Sequence, residues 1–336
     1  MPHDPTPQEA RLTTALYTIA PAPAPTAQPL QDERTRIAAH LMERQASISP
    51  RYLYDALGCH LFDAITELDE YYPTRTERAI AEQHRVPIAD FLTDHAGPQA
   101  PLVDLGAGSC SKAPFWFGPL GCTEYVAVDL AREHVERALL GLRTRHPGVR
   151  MQCVALDLVW QLPRLASHIA RPAVLFYPGS SIGNFEPEQA LRLLREMHAV
   201  ARGGALLIGV DLWKSPAELQ AAYDDATGVT AAFNRNVLRH VNRLIGADFD
   251  PRQWQHIAHV DSERQRVEMR LAAIGAQTVH WPGGERRFAD AEYIHTENSY
   301  KWTLDGFADC LQQAGWQAPR SWTDDHARFA LFAAAA

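Results

Sequence analysis

Lysine and arginine never gather into a run in this 336-residue chain, although it holds 32 of them against 40 aspartates and glutamates. A nucleic-acid partner, which needs clustered positive charge, is therefore not expected. No apolar stretch approaches the about 20 residues of a membrane span. The chain starts Met-Pro-His-Asp, without the basic-then-apolar pattern of a secretory signal, so a cytoplasmic location without a membrane partner is expected. The five cysteines (Cys59, Cys110, Cys122, Cys153 and Cys310) are odd in number and widely spaced. With no CxxC or Cys/His cluster, they suggest free thiols and no metal site. The net charge of −8 favours no ligand class. With 46% apolar and 21% charged residues, the composition is that of an ordinary globular protein. The length suits one large domain or two modest ones, and a monomer is expected.

The first thirty residues carry Ala20-Pro-Ala-Pro-Ala-Pro-Thr26, a tract that cannot build a core, so residues 1–30 read as a disordered tail. A helical segment is expected near 32–45. Another is expected over 79–92, capped by Thr74 or Thr76. From about residue 100, short apolar runs alternate with helical segments. The runs lie at 101–106, 125–129, 151–156, 173–177 and 205–211, with helices expected over 133–145 and 187–201. This alternation predicts an α/β fold, a doubly wound and mostly parallel Rossmann-like sheet. Beyond residue 211 it stops: 213–245 reads helical and 253–290 alternates like strands. The earlier style returns with a helix near 304–314 and a final strand over 329–333. Two domains follow. The first is a sheet domain of 76–212 and 302–336. The second is an α+β substrate domain of 31–75 and 213–301.

The strongest local signal is Leu102-Val-Asp-Leu-Gly-Ala-Gly-Ser-Cys-Ser-Lys112. A strand runs into a Gly-x-Gly turn, where Gly106 and Gly108 let backbone approach a ligand. Further on, a second strand ends in Asp129, whose carboxylate can accept both hydroxyls of an adenosine ribose. That arrangement serves a nicotinamide dinucleotide and S-adenosylmethionine alike. The loop lacks the third glycine of a dinucleotide site, which favours the phosphate-free methyl donor. Asp104 can meet the donor's ammonium or orient the loop, and Lys112 can reach its carboxylate. A third strand ends at Asp157, placed to accept from the adenine amine. Any one of these acids reads equally well as a turn residue. Three of them on successive strand tips favour the cofactor.

The fourth strand leads into Phe176-Tyr-Pro-Gly-Ser-Ser-Ile-Gly-Asn184. In open α/β sheets ligands sit beyond the carboxyl ends of the strands, so this loop should face the transferred methyl group. Gly179 permits close approach, and Asn184 offers both a donor and an acceptor. Tyr54, Tyr71, Tyr72 and Tyr223 add polar aromatics that default to packing residues. Glu297-Asn-Ser299 reads on its own as a solvated strand edge.

Five segments carry a resemblance. They are Tyr54-Asp-Ala-Leu-Gly58, Glu70-Tyr-Tyr-Pro-Thr-Arg-Thr-Glu77, Gly179-Ser-Ser-Ile-Gly-Asn184, Tyr223-Asp-Asp-Ala-Thr-Gly-Val-Thr-Ala-Ala-Phe-Asn-Arg-Asn236 and Thr296-Glu-Asn-Ser299. From about residue 50 onward the chain closely resembles the histidine Nα-methyltransferases of ergothioneine biosynthesis, which trimethylate free L-histidine to hercynine. The resemblance implies a class I methyltransferase domain joined to a substrate domain. It implies S-adenosylmethionine contacts at Gly106, Lys112, Asp129, Asp157 and Leu158. It places Asn184, Tyr223 and Gly179 at the acceptor's α-carboxylate and amino end. Tyr71, Glu297 and Ser299 fall at the imidazole, with Asn298 in the same motif and Met269 beside the pocket. Cys110 in the glycine loop and Ser181, where threonine is expected, depart from the family pattern.

The chemistry requires a neutral amine, so a proton must leave before each transfer. Burial lowers the amine's affinity for it, while Asn184 positions the amine and Tyr54 or Tyr71 accepts hydrogen bonds. Three other readings stand beside this one: the same chemistry on another free amino acid such as tryptophan or tyrosine, a nicotinamide-dependent oxidoreductase, and a non-catalytic ligand-binding module.

Overall fold

The computed structural model describes residues 27–169 and 172–336. Most of the expected tail, with its Pro/Ala tract, lies outside the described residues. The first helix, α1 (Ala27–Met42), starts inside the last positions of that tail. It is followed by α2 (Ala56–Ile65), α3 (Tyr72–Gln83) and α4 (Arg85–Ala96). Neither Thr74 nor Thr76 caps a helix. Tyr71 is the N-cap of α3 and Pro73 lies in its first turn, where a missing N–H costs nothing. The helix expected over 79–92 is two helices broken at His84.

The α/β core then runs β1 (Leu102–Leu105), α5 (Pro114–Phe117), β2 (Glu124–Asp129), α6 (Arg132–Arg145), β3 (Arg150–Ala155), β4 (Val174–Tyr177), α7 (Pro187–Ala201) and β5 (Ala205–Asp211). Next come α8 (Pro216–Tyr223), α9 (Val229–Ile245), β6 (Trp254–Asp261), β7 (Arg266–Ala273), β8 (Gln277–Trp281), β9 (Gly284–Phe288) and β10 (Tyr293–Tyr300). The chain closes with α10 (Leu304–Gln313), β11 (Gln317–Thr323) and β12 (Phe329–Ala335).

Seven strands form one sheet in the order β11-β12-β5-β4-β1-β2-β3. Strands β1 to β5 pair in parallel, and β12 and β11 join antiparallel at one side. Strands β1, β4, β5 and β12 are buried along their whole length, as strands covered on both faces must be. Strand β11 escapes the sequence reading because it is a polar edge strand holding Pro319, a residue that edges tolerate.

Two apolar cores cover the two faces of this sheet. A third core joins 37–72 to 219–294 around the antiparallel sheet β10-β7-β6. Helix α9 turns Phe233, Val237, Val241 and Ile245 into that core, one per turn. Asp225 receives the N–H groups of Val229 and Thr230 at its start. Helix α3 belongs to both parts: Tyr72 enters the third core, while Ile80 and Ala81 enter the core on one sheet face. A boundary between 75 and 76 therefore cuts through a continuous helix. No described helix is long and apolar enough to cross a membrane.

Candidate active site

The chain order reverses between β1 and β4, and a cavity of about 1470 Å³ opens at the carboxyl ends of these strands. Gly106 and Gly108 take φ of +70° and +50°, which glycine adopts without steric cost. Cys110 also sits at positive φ, fully buried, so a side chain is tolerated there by packing into the core beneath the loop. Asp129 accepts from the Gly108 N–H at 2.9 Å and from the Ala131 N–H at 2.8 Å, which orients its carboxylate at the cavity wall. Asp104 accepts from the Tyr125 hydroxyl at 2.7 Å. Its other oxygen is buried without a partner, and burial pushes its pKa up to about 7. An unpaired carboxyl oxygen at this wall suits a cationic group of the ligand.

Asp157 lies at the far end of the cavity beside the half-buried Leu158. It accepts from the Val159 N–H at 2.8 Å and from Arg51 at 3.0 Å. Arg51 also pairs with Glu33, so the N-terminal segment is tied across this end. The Lys112 ammonium donates to Glu77 at 2.5 Å, and the other Glu77 oxygen accepts from the Gly179 N–H at 2.8 Å. Glu77 thus bridges the glycine loop and the loop after β4.

A second cavity of about 50 Å³ adjoins the first. A single water needs roughly 10–15 Å³ by the same measure, so the space is that of a small ring. Tyr54, Tyr71, Gly179 and Asn184 line both cavities, while Tyr223, Met269, Glu297 and Ser299 line the smaller one. The strand period places Glu297 and Ser299 on one face of β10, and that face is buried rather than a solvated edge. Asn298 therefore points the other way: it donates to Glu186 at 3.0 Å, meets His295 at 2.9 Å and faces the larger cavity. The structure does not bring it to the ring-sized pocket.

Glu297 has one oxygen buried without a partner, and burial pushes its pKa up to about 8 against the pull of Lys301. Burial also holds the Tyr54, Tyr71 and Tyr223 hydroxyls well above their ordinary range, so they stay protonated. In the wall of the smaller cavity Asp211 is held ionised by Lys301 at 2.7 Å and Lys214 at 2.6 Å. Sequence reasoning missed Glu77, Arg51, Lys301 and Asp211 as parts of this site. Glu77 lay inside a quoted motif and Asp211 ended a recognised strand, but their partners are remote in sequence. Among the described residues no group of His, Cys, Asp and Glu is placed to hold a metal ion.

The strand order, glycine turn and strand-tip acids define a class I S-adenosylmethionine-dependent methyltransferase. The chain belongs to the histidine-specific, SAM-dependent methyltransferase family, whose model matches residues 33–336. It is 36% identical over 305 residues to the histidine N-alpha-methyltransferase of Mycolicibacterium smegmatis, covering 89% of this chain and 93% of that protein. Identity is 32% over 280 residues to ergothioneine biosynthesis protein 1 of Neurospora crassa, covering 81% of this chain and 31% of that protein. The L-tryptophan methyltransferase trpM of Psilocybe serbica is 27% identical over 322 residues, covering 83% of this chain and 85% of that protein.

Proposed function

We propose that this chain methylates the α-amino group of free L-histidine three times, giving hercynine for ergothioneine biosynthesis. The observation that carries this reading is Glu297: a buried carboxyl with an unpaired oxygen, beside Ser299, in a ring-sized cavity. Such a group rejects side chains that bring no hydrogen-bond donor, because it would then remain unpaired.

S-adenosylmethionine, when bound, supplies an electrophilic methyl group on a sulfonium. Asp129 would hold the ribose hydroxyls, Asp157 the adenine amine, and Asp104 and Lys112 the charged amino-acid end, with Gly106, Gly108 and Leu158 packed against it. Asn184 and Gly179, in the wall common to both cavities, would hold the acceptor's amino and carboxylate end where the two ligands meet. Tyr223 would donate to the carboxylate, and Met269 would pack beside the ring. Tyr54 and Tyr71, held neutral by burial, accept hydrogen bonds from the amine rather than removing a proton outright. Enclosure favours the neutral amine, and the proton leaves to water in the larger cavity. Positioning then supplies most of the rate. Every residue named comes from one chain, so the reading needs no second subunit.

The test is to incubate the protein with S-adenosylmethionine and each free amino acid, and to weigh the products. Mono-, di- and trimethylated histidine are expected. Failure of histidine, or transfer to tryptophan in its place, would reject the assignment. Glu297→Ala and Asn184→Ala should raise the KM for histidine at least tenfold with little change in the KM for S-adenosylmethionine.

A further inference from the structure

Lys301 is buried beneath the ring-sized cavity and directs its three N–H groups to Asp211 at 2.7 Å, the Tyr223 hydroxyl at 2.8 Å and the Ser299 hydroxyl at 2.9 Å. An ammonium only donates, so both hydroxyl oxygens accept from it. The two hydroxyls also lie 2.7 Å apart, a separation at which one proton sits between them. Two arrangements satisfy these contacts. Tyr223 donates to Ser299, which leaves the serine proton free for a ligand; or Ser299 donates to Tyr223, which leaves the tyrosine proton free.

Under the histidine reading Tyr223 faces the substrate carboxylate, a group that can only accept. Tyr223 must then donate outward and Ser299 must donate to Tyr223. Ser299 keeps only a lone pair for the ring. Glu297 becomes an acceptor in the same way once its own proton has passed to the ring. We infer that the pocket binds histidine with both ring nitrogens protonated, one N–H donated to Glu297 and the other to Ser299. Lys301 is the positioning residue: by donating to both hydroxyl oxygens it leaves only these two arrangements, between which the substrate carboxylate selects. The inference rests on the histidine reading and adds to it the protonation state of the ring.

Beside the pocket the fixed charges sum to one positive, so only an ionised Glu297 can offset a charged ring. Asp211 is one anion between two cations, Lys301 and Lys214. Tyr54 and Tyr71, facing the pocket from the N-terminal segment, and Tyr72, which donates to Asp211, remain neutral. An ionised Glu297 therefore opposes the ring's charge. Without ligand, burial keeps Glu297 largely protonated near neutral pH. When neutral histidine enters, the Glu297 O–H bond breaks and a ring N–H bond forms, leaving a carboxylate against an imidazolium, with no proton drawn from solvent. Rings that resist a second proton would leave the proton on Glu297 and gain only a neutral O–H···N hydrogen bond from it.

The full chain saturated with S-adenosylhomocysteine and ring-15N-labelled histidine tests this by NMR at pH 8. A free ring, with its ordinary pKa of about 6.5, is neutral there. Both bound nitrogens should resonate in the protonated range. One protonated and one bare nitrogen overturns the inference while leaving histidine as the substrate; no bound histidine signal overturns the histidine reading beneath it. Lys301→Met and, should that variant fail to fold, Tyr223→Phe should return the bound ring to the neutral pattern. An imidazolium signal persisting in whichever variant folds overturns the role given to Lys301.

Discussion

A carboxyl group walled off from water keeps its proton far beyond its usual range. Glu297, raised from 4.5 to about 8, and Asp104, raised from 3.8 to about 7, are both in that position. Their folded-state values exceed the unfolded ones, so between those limits the native state binds more protons. These two groups should therefore lower the stability of the ligand-free chain as pH rises from about 4 to about 8, while His256 and His295, whose pKa values burial lowers, act in the opposite sense up to about 6.5. Melting temperature followed across this window should decline less, or rise more, in Glu297→Gln than in the unaltered chain between pH 5 and 8. Identical slopes would contradict the burial of an unpaired Glu297 carboxyl. Asp211 and Asp324, whose pKa values are lowered by lysine and arginine partners, act in the opposite sense and only in acid, below about 3.8. Glu77 gives a further test at this scale. With Gly179 and Lys112 both bound to its carboxylate, Glu77→Gln should weaken S-adenosylmethionine and histidine together, each by several-fold in KM. An effect confined to one substrate would show that it does not bridge the two loops.

Among the elements, the turn at Ser181–Asn184 is tightly constrained by the strand beneath it. A Cβ on Gly183 would lie 2.7 Å from the Tyr300 carbonyl oxygen and 3.3 Å from its nitrogen, so the turn rests directly on β10. Gly183→Ala must push the turn, and Asn184 with it, away from the strand that carries Glu297 and Ser299. A displacement of about 1 Å at reacting groups costs roughly 10²-fold in rate. A loss of that order in kcat/KM is expected, with circular dichroism unchanged. Near-normal kinetics would remove the turn from the site. Element type was legible where burial imposes a helical period, as in α9, or a continuous apolar run, as in the parallel strands. It was not legible at α3 and α4, where a change of direction at His84 divides one helical pattern, nor at polar β11, which is held by pairing with β12. The orientation of Asn298 followed from strand period once β10 was known, but its motif neighbours alone did not reveal it.

At the scale of the whole molecule, the site is assembled where the third core meets the sheet. Arg51, from the segment before α2, pairs with Asp157 beyond β3, and Lys301, just after β10, pairs with Asp211 at the end of β5. The Arg51 pair is partly exposed, so its contribution is modest. Arg51→Ala should raise the KM for S-adenosylmethionine several-fold and leave the histidine KM at saturating donor nearly unchanged. A larger effect on histidine would place Arg51 on the acceptor side.

The sequence alone determined the α/β alternation, the glycine turn, the strand-tip acids and the family. These are local signals, written in periods of two or 3.6 residues and in short motifs that recur wherever the same backbone is needed. Only the tertiary structure decided which polar groups share a buried partner. The Glu77 bridge, the Lys301–Asp211 pair beside the pocket and the unpaired oxygen of Glu297 arise from segments that meet through packing of separate cores, and no local pattern encodes such a meeting. A strand motif that reads as a solvated edge is buried here because α8, α9 and the N-terminal segment close over it.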